Sequence, residues 1–180
     1  MIILMGVAGA GKSTQGRLLA DQKGYAWIST GEILRVLITG TRRQKMLQGK
    51  LLSDEETINV IDKVLDLIDP NDEFVLDGFP RSMQQLHWLL KQTDQERFDR
   101  ILVIYLRAPE ALVHDRLIQR GRTDDTDQAI GERFKEYHEV TLPILDEFRQ
   151  HNIKIYEFDA SQDAETIHSE IMHHLNGSSK

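Results

Sequence analysis

The chain has 180 residues, a length that fits one domain able to bury a sizeable core. Its formal charge of -7 argues against a surface built to neutralise nucleic-acid phosphates and fits a small phosphorylated ligand better. It has no cysteine, which excludes disulfides and thiolate zinc sites. Its apolar start at 1–5 is too short for a signal peptide or a membrane span. We therefore expect a cytoplasmic protein without a nucleic-acid or membrane partner.

Short apolar runs rich in β-branched residues alternate with longer helical patterns. In chain order, we predict strands at 2–5, 26–28, 74–76, 101–106 and 153–158. Continuous apolar runs of this kind are typical of buried parallel strands. The alternation predicts an α/β fold with a parallel sheet of about five strands and helices on both faces, in which ligands bind beyond the carboxyl ends of the strands.

The first predicted strand runs directly into the sequence GVAGAGKS at 6–13. This sequence matches the full P-loop pattern, in which backbone N–H groups at a helix N-terminus converge on phosphate oxygens. Lys12 adds a charge for the outer phosphates, and Ser13 offers a hydroxyl to a magnesium ion. The alternative is a plain glycine-rich turn. A P-loop alone does not separate kinases from GTPases, ATPases or nucleotide binders, although the Asn-Lys-x-Asp pattern of many GTPases is absent.

Two later helices have clear sequence signals. A helix at 53–68 opens with the capping box Ser53-Asp54-Glu55-Glu56 and has one apolar stripe. A second helix starts near Asp127, and Pro143 is expected to kink or interrupt it because proline lacks a backbone N–H.

Three further motifs accompany the P-loop: STGEILR at 29–35, DGFPR at 77–81 and RGRTDD at 120–125. In this order, and over essentially the whole chain, the four motifs resemble those of the adenylate kinases. The resemblance implies the P-loop nucleoside monophosphate kinase fold, with a small acceptor-binding insertion and a short lid without zinc ligands. The expected organisation is a single kinase domain at 1–180, with a monophosphate-binding segment at 30–59 and the lid at 120–127.

The activity implied by the resemblance is reversible transfer of the terminal phosphoryl group of ATP to AMP, giving two ADP. Magnesium is the implied cofactor, the nucleotides ATP, AMP and ADP are the implied partners, and a monomer is expected. The nearest alternative is a kinase for UMP, CMP or another nucleoside monophosphate. A non-catalytic adenine-nucleotide-binding protein is the alternative from a different functional class.

The resemblance also assigns roles to individual residues. The implied ATP site contains Gly9, Ala10, Gly11, Lys12, Ser13, Thr14, Arg120 and Gln162. The implied AMP site contains Thr30, Arg35, Lys50, Leu51, Leu52, Gly78, Phe79, Pro80, Arg81, Gln85, Arg122 and Arg133. The implied catalytic groups are Lys12, Arg81, Arg120, Arg122 and Arg133, with Ser13 and, through water, Asp77 holding the metal. Asp124 and Asp125 are expected to hold the lid through hydrogen bonds or ion pairs with the arginines.

The acceptor base is indicated by two side chains. The Gln85 amide can pair with an adenine edge, as Asn and Gln do on adenine in DNA, although Gln85 also fits the third position of a helix cap begun by Ser82. Thr30 supports adenine, because the similar pyrimidine monophosphate kinases usually have alanine there. No general base is needed, because an acceptor phosphate with a second pKa near ~6 is already largely dianionic at neutral pH.

Several residues depart from the usual family pattern. Ala8 stands where proline is usual, and Ser13 where glycine is usual, so Ser13 and Thr14 are both candidates for the hydroxyl ligand. Glu32 replaces an aspartate, and the stretch at 36–48, which contains Thr41-Arg42-Arg43, is shorter than in typical members. The resemblance implies that this stretch closes over the acceptor.

Overall fold

The computed structural model of the chain describes residues 1–40, 52–69, 72–98, 100–123 and 125–177. Its centre is a sheet of five parallel strands in the order β2-β3-β1-β4-β5. The strands are β1 (Ile2–Met5), β2 (Ala26–Ser29), β3 (Phe74–Asp77), β4 (Leu102–Arg107) and β5 (Lys154–Asp159). The predicted parallel α/β sheet is therefore confirmed, with each predicted strand in place to within a residue or two.

Helices connect the strands and cover both faces of the sheet. They are α1 (Lys12–Lys23), α2 (Thr30–Leu37), α3 (Asp54–Leu65), α4 (Met83–Asp94), α5 (Glu110–Arg120), α6 (Asp127–Glu136), α7 (Leu142–Gln150) and α8 (Ala164–Gly177). The predicted cap of α3 is confirmed, because the Ser53 Oγ accepts a hydrogen bond from the Glu56 N–H. Within the residues that the structure describes, no helix is both long and apolar enough to cross a lipid bilayer.

The helical stretch that begins at Asp127 is interrupted as expected near Pro143. A π-helix at Tyr137–Thr141 joins α6 to α7, and Pro143 lies in the first turn of α7. Proline cannot donate the backbone hydrogen bond that an uninterrupted helix would need at this position. The wider π turn replaces a regular α-helical turn before Pro143. It directly follows the residues of α6 that face the site described below.

The core has two halves because alternate residues of each strand face opposite sides of the sheet. Ile3 and Met5 of β1 belong to the half covered by α3, α4 and α7. Ile2 and Leu4 belong to the half covered by α1, α5, α6 and α8. With both faces covered in this way, only the ends of the strands are open to a ligand.

Candidate active site

A cavity of about 710 Å³ lies at the carboxyl ends of the strands. The strand order decides which residues meet there, because β1 is central and its P-loop lies between two groups of strands. Residues that follow β2 and β3 reach the cavity from one side, and residues that follow β4 and β5 reach it from the other. With about 4.8 Å between neighbouring strands, this edge of the sheet spans roughly 19 Å.

The P-loop leaves β1 through glycines that other residues could not replace. Gly6 has a φ of 138°, and a Cβ there would lie 2.4 Å from the carbonyl oxygen of Leu106 in the neighbouring strand. Gly11 caps α1 in a left-handed conformation with a φ of 93°. The loop can therefore curl tightly before α1, whose N-terminus borders the cavity.

Lys12 lies at the first position of α1 with its amine turned back towards the loop. Its Nζ donates hydrogen bonds to the carbonyl oxygens of Gly6 and Val7, at 2.7 and 2.8 Å. Burial lowers the pKa of Lys12 from 10.5 to about 8, and the nearby Asp77 carboxylate partly opposes this shift. The protein thus holds the lysine where its positive charge is not fully compensated.

Ser13 and Asp77 form a pair of oxygen donors between α1 and the end of β3. The Ser13 Oγ donates a hydrogen bond of 2.6 Å to Oδ2 of Asp77, and Asp77 is buried. Thr14, the second candidate hydroxyl, lines the same cavity but is exposed to solvent. A hydroxyl and a carboxylate are hard oxygen ligands of the kind that magnesium prefers.

Most of the residues predicted from the sequence border this one cavity. They are Gly9, Ala10, Gly11, Lys12, Ser13, Thr14, Thr30, Arg35, Leu52, Asp77, Gly78, Arg81, Gln85, Arg120, Arg122, Arg133 and Gln162. Two predicted residues do not: Phe79 is fully buried against Trp88, and Pro80 borders a small adjoining cavity. The predicted acceptor residues Lys50 and Leu51, together with Asp124, lie outside the described residues.

Asp125 ties the predicted lid arginines together. Its carboxylate accepts hydrogen bonds from Nε and Nη2 of Arg120, at 2.8 and 2.7 Å, and from Nη1 of Arg133, at 2.7 Å. The Asp125 side chain is completely buried. Burial by itself would raise the pKa of Asp125, but the hydrogen bonds and charges of the two arginines outweigh it and lower the pKa. This pairing was expected from the sequence, and the structure contains it.

Two other arginines are held by partners outside the lid. The Arg81 Nε donates to the carbonyl oxygen of Gly78 at 3.0 Å, which draws its side chain back over the turn that follows β3. The Arg122 Nη2 lies 3.8 Å from a carboxylate oxygen of Glu32, which also accepts from Arg17 at 3.1 Å. Glu32 therefore links the start of α2 to both α1 and the predicted lid.

Gln85 is both a cap residue and a cavity residue. Its backbone N–H donates to the Ser82 Oγ, so the helix cap considered from the sequence exists. Its side-chain oxygen accepts from the Arg81 N–H at 2.7 Å, and its side-chain nitrogen donates to Asp54 at 2.8 Å.

Thr30, also buried on this side of the cavity, has a hydroxyl oxygen without a hydrogen-bond partner among the described residues.

Three charged residues that line the cavity were not singled out from the sequence: Arg17, Arg116 and Glu136. Arg116 donates to the carbonyl oxygens of Ala160 and Gln162, at 2.7 and 3.4 Å, so it lies beside the loop that follows β5. Glu136 lies near Arg81, Arg133 and Lys12, whose charges oppose the rise in its pKa that burial causes. Arg116 stands one helical turn before Arg120, a spacing that could have indicated it. No local pattern marks Glu136.

Comparison with known proteins agrees with the site. The profile of the adenylate kinase family matches residues 4–153. An adenylate kinase from Prochlorococcus marinus (strain MIT 9301) is 34% identical over 176 residues, which cover 94% of this chain and 95% of the relative. One from Corynebacterium urealyticum is 35% identical, covering 92% and 93%. One from Mycolicibacterium paratuberculosis is 38% identical over 154 residues, covering 82% and 85%.

The family match spans most of the sheet and every motif noted in the sequence, from the P-loop to the lid. The relatives align over nearly their whole length, so the likeness extends beyond a shared P-loop. The chain belongs to the adenylate kinase family and is a phosphotransferase that converts ATP and AMP into two ADP.

Proposed function

We propose that this reaction takes place in the cavity at the carboxyl edge of the sheet, with ATP on the side of β4 and β5 and AMP on the side of β2 and β3. The observation that carries the proposal is the convergence of cationic side chains on one cavity, among them the predicted catalytic groups Lys12, Arg81, Arg120, Arg122 and Arg133. Two nucleotides that meet by their phosphates repel each other strongly. A ring of fixed positive charges offsets that repulsion.

On the ATP side, the N-terminus of α1 and Lys12 would hold the phosphates. Arg120 reaches the same space from α5, and Gln162 lines it from the loop after β5. The planar guanidinium of Arg116, fixed by two carbonyl oxygens, would lie flat against a purine ring. Donor binding would therefore combine phosphate contacts near β1 with base contacts near β5.

Ser13 and Asp77 are the residues that would hold magnesium, Asp77 through water. Their oxygens belong to the hard donor class and lie together beside Lys12, so they fit the ion. Magnesium, when bound, neutralises phosphate charge and orients the terminal phosphoryl group. The hydrogen bond of Ser13 to Asp77 favours Ser13 over the exposed Thr14 as the hydroxyl ligand.

On the AMP side, Arg35 and Arg81 would bind the acceptor phosphate, and Leu52 would contact the nucleoside. Gln85 and Thr30 would read the base. The Thr30 hydroxyl is buried and unpaired within the described part of the chain, so a polar atom of the ligand would satisfy it. These two polar groups favour a base with both a donor and an acceptor on its edge.

The chemistry needs positioning more than proton transfer. The acceptor phosphate is itself the nucleophile, and the arginines stabilise the charge that spreads over the transferring oxygens. Arg133 and Arg120 are already fixed by Asp125, so they need little rearrangement to act together. A closed lid would also keep water from taking the phosphoryl group.

An acceptor assay tests this proposal. ATP consumption is measured with AMP, GMP, CMP and UMP at equal concentration, with and without magnesium. AMP is expected to be the preferred acceptor, and turnover is expected to require magnesium. Rapid turnover of UMP or CMP with negligible turnover of AMP would assign a pyrimidine monophosphate kinase. Binding of ATP without turnover of any acceptor would assign a non-catalytic nucleotide-binding protein.

We further propose that the enzyme works as a cytoplasmic monomer. Within the described residues, one chain brings the predicted ATP-side and AMP-side side chains to a single cavity, which supports a monomer. ATP and AMP are intracellular nucleotides, which fits the location. Light scattering on the purified chain during size-exclusion chromatography gives its mass in solution. A stable dimer would contradict the monomer.

A further inference from the structure

The carboxylate of Asp54 contacts the amide that we assign to the acceptor base. Asp54 is the first residue of α3, and its Oδ1 accepts a hydrogen bond of 2.8 Å from Nε2 of Gln85, 31 residues away in the sequence. Gln85 has a solvent exposure of only 3%, whereas Asp54 is partly exposed, so this contact lies at the edge of the interior next to the cavity. A hydrogen bond to a charged carboxylate is stronger than one to a neutral acceptor, so it restrains the side chain that donates it.

The two partners of Gln85 fix which way its amide points. The Arg81 backbone N–H can only donate, so the amide oxygen must face it, and the distance is 2.7 Å. The Asp54 carboxylate accepts, so the amide nitrogen must face Asp54. A reversed amide would put two oxygens together at Asp54 and two N–H groups together at Arg81.

An amide held in this way has one N–H and one oxygen lone pair left over. The adenine edge offers an acceptor at N1 and a donor in its 6-amino group, which match those two groups. Hypoxanthine and guanine have the opposite pattern, with a 6-oxo acceptor and an N1–H donor. A 6-oxo purine would therefore pair only with the reversed amide.

We propose that Asp54 is a positioning residue that sets acceptor specificity, because it locks the Gln85 amide in the orientation that fits a 6-amino purine and rejects a 6-oxo purine. This inference rests on the proposed AMP side of the cavity. Asp54 does not touch the base itself and acts through Gln85. It also ties acceptor choice to the N-terminus of α3, the helix that begins within the predicted monophosphate-binding segment at 30–59.

The test compares AMP with IMP, two acceptors that differ only at the purine 6-position and N1. Asp54→Asn keeps the size of the side chain but offers Gln85 an amide donor as well as an acceptor, so only the Arg81 N–H still favours the original orientation. The ratio of kcat/KM for AMP to kcat/KM for IMP is expected to fall by about tenfold or more, in keeping with the strength of a hydrogen bond to a charged group. KM for AMP should rise, and kcat should change little, since the reacting phosphates are not contacted by Asp54.

Matched variants separate this role from a structural one. Asp54→Ala removes the carboxylate without adding a donor and should also lower the ratio. Glu55→Gln, at the next and exposed residue of α3, removes a charge from the same helix end and should leave the ratio unchanged. In a Gln85→Ala background, adding Asp54→Asn should have no further effect on the ratio, as expected for a residue that acts through Gln85.

An unchanged AMP to IMP ratio in both Asp54→Asn and Asp54→Ala would overturn the inference, whatever happens to their melting temperatures. A full additional loss in the Gln85→Ala background would do the same. Failure of the proposed function is a separate result, because it requires that the wild-type chain not use AMP. A wild type that uses AMP with Asp54 variants of unaltered ratio would refute only the role of Asp54.

Discussion

Burial of the Lys12 amine at the P-loop disfavours its charged form. Its pKa falls to about 8, chiefly because the amine is removed from water, and the Asp77 carboxylate recovers only part of the loss. The two carbonyl oxygens that accept from Nζ carry no net charge. A nucleotide phosphate would supply the missing negative charge, so we expect activity, more than folding, to depend on Lys12.

Lys12→Met tests this expectation, because it keeps the length of the side chain and removes the amine. We expect kcat/KM for ATP to fall by about 10² to 10³, the usual effect of deleting one transition-state donor. The melting temperature should stay level or rise, since the folded state no longer buries a charge. Lys91→Met, at an exposed position of α4, is the control and should keep full activity. Equal turnover in both variants, or unfolding of Lys12→Met alone, would contradict the assignment.

At the scale of residues, local motifs indicated most of the residues that line the cavity, whereas single contacts escaped prediction. The P-loop could be recognised because its function depends on neighbouring backbone groups, and Lys12 and Ser13 line the cavity as expected. Asp54 and Glu136 reach the site only through the tertiary fold. The partner of Asp54 is 31 residues away, and no periodicity connects positions so distant.

At the scale of elements, Asp125 joins the two helices on either side of the predicted lid. Arg120 ends α5 and Arg133 lies on α6, and both donate to the same buried carboxylate. Removing one partner of a buried ion pair leaves the other charges uncompensated. One acidic side chain therefore joins the helices on either side of the predicted lid, and the stability of this part of the fold should follow the charge of that side chain.

Asp125→Asn should destabilise the fold by about 2 to 4 kcal/mol at neutral pH, the range expected when a buried charged hydrogen-bond network loses its charge. The pKa of Asp125 is lowered in the folded state, so its contribution to stability is complete above pH 3.8 and is lost as the pH falls through the folded pKa. Melting curves at pH 7, 5 and 3 should show the gap between wild type and variant shrinking at the lowest pH.

Asp127→Asn is the control for this prediction. Asp127 lies two residues further on and pairs with His114 at 2.9 Å, but its side chain is 84% exposed. Exposed pairs contribute about 0–1 kcal/mol, so the control should lose little stability. If both variants lost the same stability, or if the gap for Asp125→Asn did not depend on pH, the buried carboxylate would not be what holds the lid.

The elements themselves could be predicted where their signals are local. The strands were found because each is a short apolar run between turns, and the cap of α3 because Ser53 and Glu56 lie three residues apart. The interruption after α6 was expected at Pro143 but is a π turn at Tyr137–Thr141. The sequence shows that Pro143 lacks a backbone N–H. It does not show which helical geometry the preceding turn adopts in response.

At the scale of the whole molecule, the strand order organises the reaction. The sequence indicated five parallel strands but not their order, because order depends on which strands pair across the sheet. The order β2-β3-β1-β4-β5 puts Thr30 and Gln85 on one side of the P-loop and Arg116 and Gln162 on the other. Two nucleotides bound at these positions would meet by their phosphates over β1.

A ligand with two adenosines joined by five phosphates tests this geometry. It should fill both sides of the cavity at once, so it should bind one per chain and compete with both ATP and AMP. Binding only to the folded state raises stability by about 4 kcal/mol at a thousandfold excess over Kd, so the melting temperature should rise more than with either nucleotide alone. An analogue with two phosphates is too short to span the cavity and should behave like a single nucleotide. Two analogues per chain, or competition with ATP alone, would mean that the cavity holds only one nucleotide and that the acceptor binds elsewhere.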